Sequence, residues 1–303
     1  MPLGLRKHIG HIKRHTNQAG FITGLLEYSS KQYLRKGRDI SGSSVFDTDW
    51  DVLVVLDACR RDAISEFENS YAFLSEPDTR TSVGSASPEW LEKTFLEGPE
   101  ENLADLAYVT GNPYATNYLD ESTLGELDEV WRYAWDDELG TIRAPPITDR
   151  AIATARSGAF EHLIVHYMQP HFPSVPSPIG GGIELETFGE EWHSIWDQMR
   201  RGTITEETAW EAYLDNLQYV LDAVAILLEN VDADTVAITS DHGNAFGEYW
   251  QYGHPAGVAL ECLREVPWYE TTATDEGTRD PKAYADPDTL SVDERLKALG
   301  YRD

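Results

Sequence analysis

Short apolar runs along the chain predict buried strands. The run Asp51–Leu56 is continuous and rich in β-branched residues, which is typical of a parallel strand buried on both faces. A weaker run covers residues 106–109, and further runs cover 162–168 and 234–239. Helical patterns lie between these runs, so the sequence predicts an α/β fold with a mostly parallel central sheet.

The helices are predicted from apolar spacing and from turn signals. Residues 58–67 and 148–160 suit helices, and a long helix follows the polar stretch 179–205. The stretch 271–290 is expected to be irregular, and 291–300 to close with a short helix. The apolar positions of the long helix recur at helical spacing: Tyr213, Leu217, Val220, Leu221, Val224 and Leu228.

The first 38 residues differ in charge from the rest of the chain. They hold eight Lys and Arg residues against one acid, Glu27. Such a segment can contact anionic lipid or an acidic partner, or it can form a helix that docks on the protein's own acidic body. No linker is evident after residue 40, so we expect a basic helical arm over 1–40 and one domain over 41–303.

Composition narrows the classes of function. The 303 residues include 53 acidic and 24 basic side chains, a formal net charge of −29, which disfavours binding to nucleic acid. A surface that is acidic and poor in lysine resembles those of proteins from salt-loving organisms. Two cysteines give neither a disulfide framework nor a zinc finger. There is no apolar run long enough to span a bilayer and no apolar secretory segment, so we expect a cytoplasmic protein.

Polar residues of metal-ligand type follow the predicted strands. Asp57 follows the first strand, Asp241 and His242 follow the strand at 234–239, and His171 follows the strand at 162–168. Ligands bind at the carboxyl ends of parallel strands, so these side chains are candidates for one site. Carboxylates with imidazole suit zinc, manganese or iron, and a carboxylate-rich site also accepts magnesium or calcium. The alternative is that the aspartates cap helices, although Gly243 favours a tight turn at a site.

Three segments together resemble the alkaline phosphatase superfamily, and its sulfatase-like branch in particular. They are Val54-Val-Leu-Asp-Ala-Cys-Arg-Arg-Asp62, His166-Tyr-Met-Gln-Pro-His171 and Thr239-Ser-Asp-His-Gly-Asn-Ala-Phe-Gly-Glu248. The ending Leu296-Lys-Ala-Leu-Gly-Tyr301 is similar to the tail of many sulfatase-like chains. The resemblance implies a three-layer αβα sandwich, one or two divalent cations, and a nucleophile that forms a covalent ester with phosphorus or sulfur.

The same resemblance implies roles for individual residues. Asp57, Asp241 and His242 would hold one divalent metal ion (manganese, zinc, magnesium or calcium). His171 would bind substrate, and His254 would touch the ester oxygens unless it is an ordinary loop residue. Both are catalytic candidates that would orient the ester and assist the leaving group. The second-metal pattern of two-metal members is missing, because His166 and His171 occupy that region; one metal site is therefore expected, with His166 as a substrate-binding candidate.

The nucleophile is expected on a helix N-terminus between the first two of these segments. The candidate is Val83-Gly-Ser-Ala-Ser-Pro-Glu-Trp90, in which Pro88 suits the first helical position and Ser87 the cap. We expect Ser87 to be the metal-bound nucleophile, with Ser85 second and a substrate-binding candidate. The alternative is that Ser87 is only a helix cap.

The sequence departs from the sulfatase pattern in one decisive way. Sulfatases need Cys or Ser in a C/S-x-P-x-R pattern, and neither Ser85 nor Ser87 provides it. We therefore expect a metal-dependent hydrolase or transferase that acts on small anionic phosphate esters. The alternatives are a sulfatase and a degenerate, non-catalytic member that acts as a binding or scaffold protein.

Residues beside these motifs have two interpretations each. Arg60 and Arg61 could meet an anionic substrate or pair with acids on their own helix. Cys59 is better explained as a small buried hydrophobe than as a ligand. Three tryptophans could form a substrate lid or pack in the core: Trp192, Trp196 and Trp210.

Overall fold

The central sheet is built around the most apolar run of the sequence. A computed structural model describes residues 21–35, 41–97, 103–119, 122–179 and 194–284. Its seven-stranded sheet has the order β2-β11-β8-β1-β7-β3-β4. The strands are β1 (Val52–Leu56), β2 (Asp78–Thr81), β3 (Leu106–Thr110), β4 (Glu126–Glu129), β7 (His162–Tyr167), β8 (Ala233–Thr239) and β11 (Glu265–Ala273).

Strand β1 lies in the middle of the sheet because all five of its residues are apolar and buried. It pairs in parallel with β7 and β8, and β3 pairs in parallel with β7 and β4. The edge is different: β11 runs antiparallel to both β8 and β2. Two small hairpins complete the strands, β5 (Trp135–Asp136) with β6 (Thr141–Ile142) and β9 (Ala245–Phe246) with β10 (Tyr252–Gly253).

Nine α-helices are assigned within the described ranges. They are α1 (Phe21–Arg35), α2 (Arg61–Ser65), α3 (Ser87–Leu91), α4 (Ala115–Tyr118), α5 (Trp131–Ala134), α6 (Ala144–Ser157), α7 (Ile195–Arg200), α8 (Glu206–Leu228) and α9 (Glu261–Arg264). Short 3₁₀ segments cover Val45–Asp47, Leu103–Asp105 and Glu248–Trp250, and a π-helical turn, Glu92–Leu96, extends α3. None of these helices has the length and apolar content needed to cross a bilayer.

Alternate residues of β1 belong to different layers. Val52, Val54 and Leu56 pack in the core beneath α6 and α8. Leu53 and Val55 pack in a second core on the opposite face, with α3. Because successive strand side chains point to opposite faces, this alternation gives a helix–sheet–helix arrangement. The predicted three-layer αβα sandwich with a mostly parallel sheet is confirmed.

Several predicted boundaries were wrong. The helix expected at 58–67 is only α2, because Ala58 has a left-handed backbone (φ 60°) and Arg60 an extended one, so the helix begins at Arg61. Helix α6 begins four residues earlier than expected, with its two prolines in the first turn, where a missing N–H costs nothing. It ends at Gly158, whose φ of 62° suits glycine.

The edge of the sheet and the ends of the chain also differ from expectation. Strand β11 extends to Ala273, so the first residues of the segment expected to be irregular complete the sheet; 274–284 have no regular structure. The short helix expected at 291–300 and the sulfatase-like ending at 296–301 lie outside the described residues.

Candidate metal centre

The carboxyl ends of the parallel strands bring the candidate residues to one place. Asp57 directly follows β1, and Asp241 and His242 lie just beyond β8. His166 is the next-to-last residue of β7 and lies beside Val55 in the register of the sheet. Asn112 follows β3 by two residues. All five side chains are buried, although the apolar pattern alone would fill this edge with hydrophobic groups.

The Asp57 carboxylate has one occupied oxygen and one free oxygen. Oδ2 accepts hydrogen bonds from the Asn112 amide nitrogen (2.7 Å) and the Ser87 hydroxyl (3.3 Å). Oδ1 is buried and has no hydrogen-bond partner. Asp57 does not cap a helix, since α2 begins four residues later.

Asp241 is arranged in the same way. Its Oδ1 accepts from the backbone N–H groups of Ala58 (3.0 Å) and His242 (2.9 Å). Its Oδ2 is buried without a partner and lies 3.3 Å from His242 Nε2. The left-handed conformation of Ala58 is the bend that brings its N–H to this carboxylate. Each aspartate thus has one oxygen that is held by the protein and one that is free to bind a cation.

The ring of His242 is fixed by its backbone neighbour. Nδ1 lies 2.8 Å from the carbonyl oxygen of Gly243, which can only accept, so Nδ1 carries the proton. Nε2 therefore has a free lone pair, and it lies 3.1 Å from Ser87 Oγ. A backbone acceptor on the far nitrogen is typical of metal-binding histidines. Gly243 itself approaches the chain closely, since a Cβ atom here would lie 2.1 Å from the carbonyl oxygen of Cys262.

His166 faces the same two carboxylates. Its Nδ1 lies 2.7 Å from the hydroxyl of Tyr108, and its Nε2 is buried without a hydrogen-bond partner. Nε2 is 3.7 Å from Asp57 Oδ2 and 3.9 Å from Asp241 Oδ2. Burial lowers the pKa of His166 to about 4, so the ring is neutral at pH 7.

His171 and His254 form the more open side of the site. Their Nε2 atoms are 2.9 Å apart, so one ring donates a hydrogen bond to the other. The His254 ring also stacks on His242, with centroids 4.6 Å apart. Both residues keep part of their surface exposed, although the Nδ1 atom of each ring is buried. Burial of the rings lowers the pKa of His171 to about 4 and that of His254 well below its usual range.

Ser87 points into the centre, but it is not a helix cap as expected. It is the first residue of α3, and Ala86 occupies the cap position. The Ser87 hydroxyl is therefore not needed by the helix backbone and lies instead between Asp57 Oδ2 (3.3 Å) and His242 Nε2 (3.1 Å). Its side chain is buried against the two residue types that activate a hydroxyl nucleophile.

Ser85 lies two residues away in a different environment. Its hydroxyl contacts Glu89 Oε2 (3.0 Å) and the carbonyl oxygen of Pro255 (3.1 Å), and it accepts from the N–H of Val258 (3.2 Å). Glu89 also accepts from the N–H of Gly257. The contacts join the start of α3 to the loop that follows His254, so Ser85 is a structural connection in this conformation.

Arg60 is already paired. Its guanidinium binds Asp62 (2.6 Å) and Glu248 (2.5 Å) and lies 5.0 Å from the Trp210 ring centroid. These partners compensate its charge, so the geometry favours the structural interpretation over direct contact with an anionic substrate. The neighbouring Cys59 is fully buried, as expected of a small hydrophobe.

Two of the three tryptophans proposed as a substrate lid are described by the structure, and both pack in the protein. Trp196 is buried in the main core, and Trp210 packs against that core from its edge. Trp192 lies outside the described residues. The two that are described therefore pack with the protein itself.

Sequence reasoning missed Asn112 and Tyr108. Asn112 orients Asp57, and Tyr108 holds the far nitrogen of His166. The turn Thr110-Gly-Asn-Pro113 closes a predicted strand, and the rule that identified Asp57 and Asp241 applies equally to this strand end. No sequence signal indicates Tyr108, because an aromatic residue in a buried strand is ordinary.

The electrostatics of the centre favour a cation. Burial and the nearby Asp241 raise the pKa of Asp57 well above its usual range. Burial acts in the same direction on Asp241, but His242 and His166 outweigh it and lower that pKa. In the part of the chain described here, no Lys or Arg forms an ion pair with either carboxylate. Two buried carboxylates without a cation are costly, because burial disfavours each charge and the charges repel.

The free donor atoms fit a metal ion. Asp57, Asp241 and His242 each offer one ligand atom within 4.8 Å of the others and could hold a cation. His242 Nε2 lies 3.3 Å from Asp241 Oδ2 and 3.9 Å from Asp57 Oδ1. These distances are near the ~3.4 Å that separates donor atoms around a tetrahedral ion with bonds of about 2.1 Å. Three unpartnered buried atoms follow or end the parallel strands here: Asp57 Oδ1, Asp241 Oδ2 and His166 Nε2. The Nδ1 atoms of His171 and His254 are also buried without a partner.

Comparison with known proteins gives a structural likeness only. No protein-family model and no curated protein matches the sequence. The soluble domain of lipooligosaccharide phosphoethanolamine transferase A from Neisseria meningitidis matches with a TM-score of 0.51 and 16% identity, over 82% of this chain and 81% of that chain.

The integral membrane form of the same Neisseria meningitidis transferase gives a similar result. It matches with a TM-score of 0.52 and 13% identity, over 92% of this chain. The present chain spans 58% of that longer protein. The chain therefore shares the alkaline-phosphatase-like fold of these domains.

Proposed function

We propose that this protein is a metal-dependent phosphoric-ester transferase or hydrolase with Ser87 as its nucleophile. The observation that carries the proposal is the position of the Ser87 hydroxyl, 3.3 Å from Asp57 and 3.1 Å from His242, beside two carboxylate oxygens that lack partners. The likeness to a phosphoethanolamine transferase supports a group-transfer reaction on this fold.

The donor set favours particular metals. Asp57 Oδ1, Asp241 Oδ2 and His242 Nε2 would hold the ion, and His166 Nε2 would be a further donor from the β7 side. Two carboxylates with two imidazoles suit zinc or manganese better than magnesium or calcium, which prefer oxygen ligands alone. When bound, the ion would supply positive charge that lowers the pKa of the Ser87 hydroxyl and neutralises ester oxygens.

The protein residues would perform the remaining steps. Asp57 Oδ2 accepts the proton of Ser87, and the freed Oγ attacks phosphorus while the bond to the leaving oxygen breaks. The N–H shared by the His171–His254 pair donates a hydrogen bond to the leaving oxygen, which departs as an anion. Water or an acceptor alcohol then attacks the phosphoseryl ester, and its proton is taken up by the leaving-group anion. Asp57 returns the first proton to Ser87 Oγ as the bond between Oγ and phosphorus breaks.

Phosphate esters are preferred over sulfate esters on chemical grounds. Neither serine of the 83–90 segment has the surroundings required for conversion to formylglycine. An unmodified serine forms a phosphoryl ester that a second nucleophile can cleave, so it supports a complete phosphoryl cycle.

The proposal is tested by turnover of three compounds: nitrophenyl phosphate (a monoester), bis-nitrophenyl phosphate (a diester) and nitrophenyl sulfate. Each is assayed with zinc, manganese or magnesium after removal of bound metal. We expect metal-dependent cleavage of a phosphate ester that is lost in Asp241→Ala and retained in Asp232→Ala, an aspartate outside the site. Cleavage of the sulfate alone would support a sulfatase, and metal binding without cleavage of any ester would support a binding protein; either would contradict the proposal.

The proposal also covers the division of the chain and its location in the cell. We propose the division into an arm over 1–40 and a domain over 41–303, and a location in the cytoplasm. The described part of the arm is a helix docked on the domain, since Leu34 of α1 is fully buried.

A further inference from the structure

Exposed apolar side chains are concentrated in one region of the described structure. Seven large hydrophobic residues are exposed among the described residues, and five of them belong to α1 or to the Glu248–Trp250 turn. These five are Leu25 (44% exposed), Leu26 (39%), Tyr33 (66%), Tyr249 (61%) and Trp250 (47%). The other two, Leu96 and Ile226, lie on different elements. Single exposed apolar residues are ordinary, but a group on neighbouring segments marks an interaction surface.

Two hydrogen bonds join α1 to the Glu248–Trp250 turn and the residue after it. The Ser30 hydroxyl donates to the carbonyl oxygen of Tyr249 (2.6 Å), and the Gln251 amide donates to the carbonyl oxygen of Glu27 (3.0 Å). The Glu27 carboxylate also accepts hydrogen bonds from Nε and Nη2 of Arg200. The inner face of α1 is thus satisfied by the domain, and its outer face carries the exposed apolar side chains.

The backbone of the turn holds its aromatic residues in a costly conformation. Tyr249 and Trp250 have φ values of 51° and 58°, in the left-handed region that favours glycine. Such residues cost about 1 kcal/mol or more each, and these two gain little from burial because both are exposed.

Charge identifies the partner. Residues 1–38 contain eight of the 24 basic residues, whereas 52 of the 53 acidic residues lie outside this segment. An anionic surface therefore attracts this basic segment, of which α1 with Lys31 and Arg35 is the described part, and repels the acidic remainder of the chain. Tyr and Trp are favoured at the boundary between water and lipid, where the ring is buried and its polar atom stays hydrated.

We propose that the outer face of α1 and the Tyr249–Trp250 turn form a docking surface for an anionic lipid bilayer. The turn is followed in sequence by β10 and then by His254, which is one of the partly exposed residues of the metal centre. The docking does not depend on the proposed function.

The test uses the full chain and vesicles of defined composition. Co-sedimentation is measured with vesicles of phosphatidylcholine alone and of phosphatidylcholine mixed with phosphatidylglycerol. The test variant is Tyr249→Asn with Trp250→Asn, because asparagine tolerates the left-handed conformation and removes the aromatic groups. The matched control is Leu96→Asn with Ile226→Asn, which removes two exposed apolar groups elsewhere.

We expect binding to the phosphatidylglycerol vesicles, weaker binding as salt rises, and at least a tenfold loss of affinity in the test variant only. Absence of binding by the native chain, or equal losses in test and control variants, would overturn the proposal. So would a concentration-dependent dimer that the test variant abolishes, since the surface would then bind a second copy.

Turnover of a soluble nitrophenyl ester separates this inference from the proposed function. We expect the test variant to keep the native rate on that substrate, which also shows that it is folded. Vesicle binding by a chain that cleaves no ester would refute the proposed function and leave the docking surface standing.

Discussion

Ser85 and Ser87 lie on the same turn of chain, and their surroundings are opposite. The Ser85 hydroxyl has two acceptors within reach of its single proton, the Glu89 carboxylate and the Pro255 carbonyl oxygen, and it accepts from the N–H of Val258. Ser87 faces Asp57 and His242, in a cluster with three buried atoms that have no partner.

The difference teaches how to separate structure from function in a polar cluster. Buried polar groups in a folded protein are normally satisfied, so a satisfied cluster is explained by stability. An unsatisfied cluster costs free energy and needs another reason. Here we propose that the reason is a bound cation, which Asp57, Asp241 and His242 could hold. The partly buried carboxylate of Glu89 serves the opposite purpose by joining two loops.

Replacement of the two serines gives the largest expected difference. Ser87→Ala should reduce turnover of the preferred nitrophenyl ester by about 10³-fold or more, because the nucleophile is lost. Ser85→Ala should reduce it less than about tenfold, because only a connection between loops is weakened. Steady-state kinetics with saturating metal checks both. A larger loss in Ser85→Ala than in Ser87→Ala would reverse the assignment of the nucleophile.

Removal of His166 should have an intermediate effect on metal binding. His166→Gln is expected to weaken zinc affinity by about 10- to 100-fold, since it removes a donor or a group that orients the carboxylates. The control is His162→Gln at the other end of β7, where Nδ1 contacts the carbonyl oxygen of Trp50. Calorimetric titration of both apo variants with zinc measures the difference. Equal affinities in the native protein and His166→Gln would remove His166 from the metal centre.

Glu89 should have the smallest effect, and only on stability. Burial alone would raise its pKa, but Lys93 and the N–H groups of Ser85 and Gly257 lower it to about 2. A lowered pKa in the folded state stabilises the protein above the ordinary pKa of 4.5, and this contribution is lost as the pH falls from there towards 2.

Glu89→Gln should therefore lower the free energy of unfolding by about 1 kcal/mol at neutral pH. The difference between Glu89→Gln and the native protein should shrink as the pH falls below 4.5. Thermal unfolding of both proteins at several pH values measures it. A difference that is independent of pH would show that the Glu89 charge does not contribute.

The sheet and most of the site could be predicted because they follow from strong local rules. The run at β1 is wholly apolar, and the residues after parallel strands meet at one edge, so Asp57, Asp241 and His242 were expected together. The edge strand β11 escaped notice because its polar Thr and Glu residues mix with apolar ones, and its antiparallel pairing depends on distant residues.

Other features needed three-dimensional contacts. The short α2 results from the bend at Ala58, and that bend is stabilised by Asp241, 183 residues away. The pairing of Arg60 with Glu248 is similarly distant in sequence. No local pattern encodes such contacts, so a helix over 58–67 was the natural but incorrect expectation.

The most direct test of the central claim is to trap the covalent ester. The metal-loaded protein is mixed with its preferred nitrophenyl phosphate ester, quenched in acid during turnover, digested and analysed by mass spectrometry. We predict a phosphoryl adduct on Ser87 that is absent from the metal-free protein and from Asp241→Ala. Turnover with an adduct on another residue, or with none on Ser87 under any quench time, would contradict a serine nucleophile at this centre.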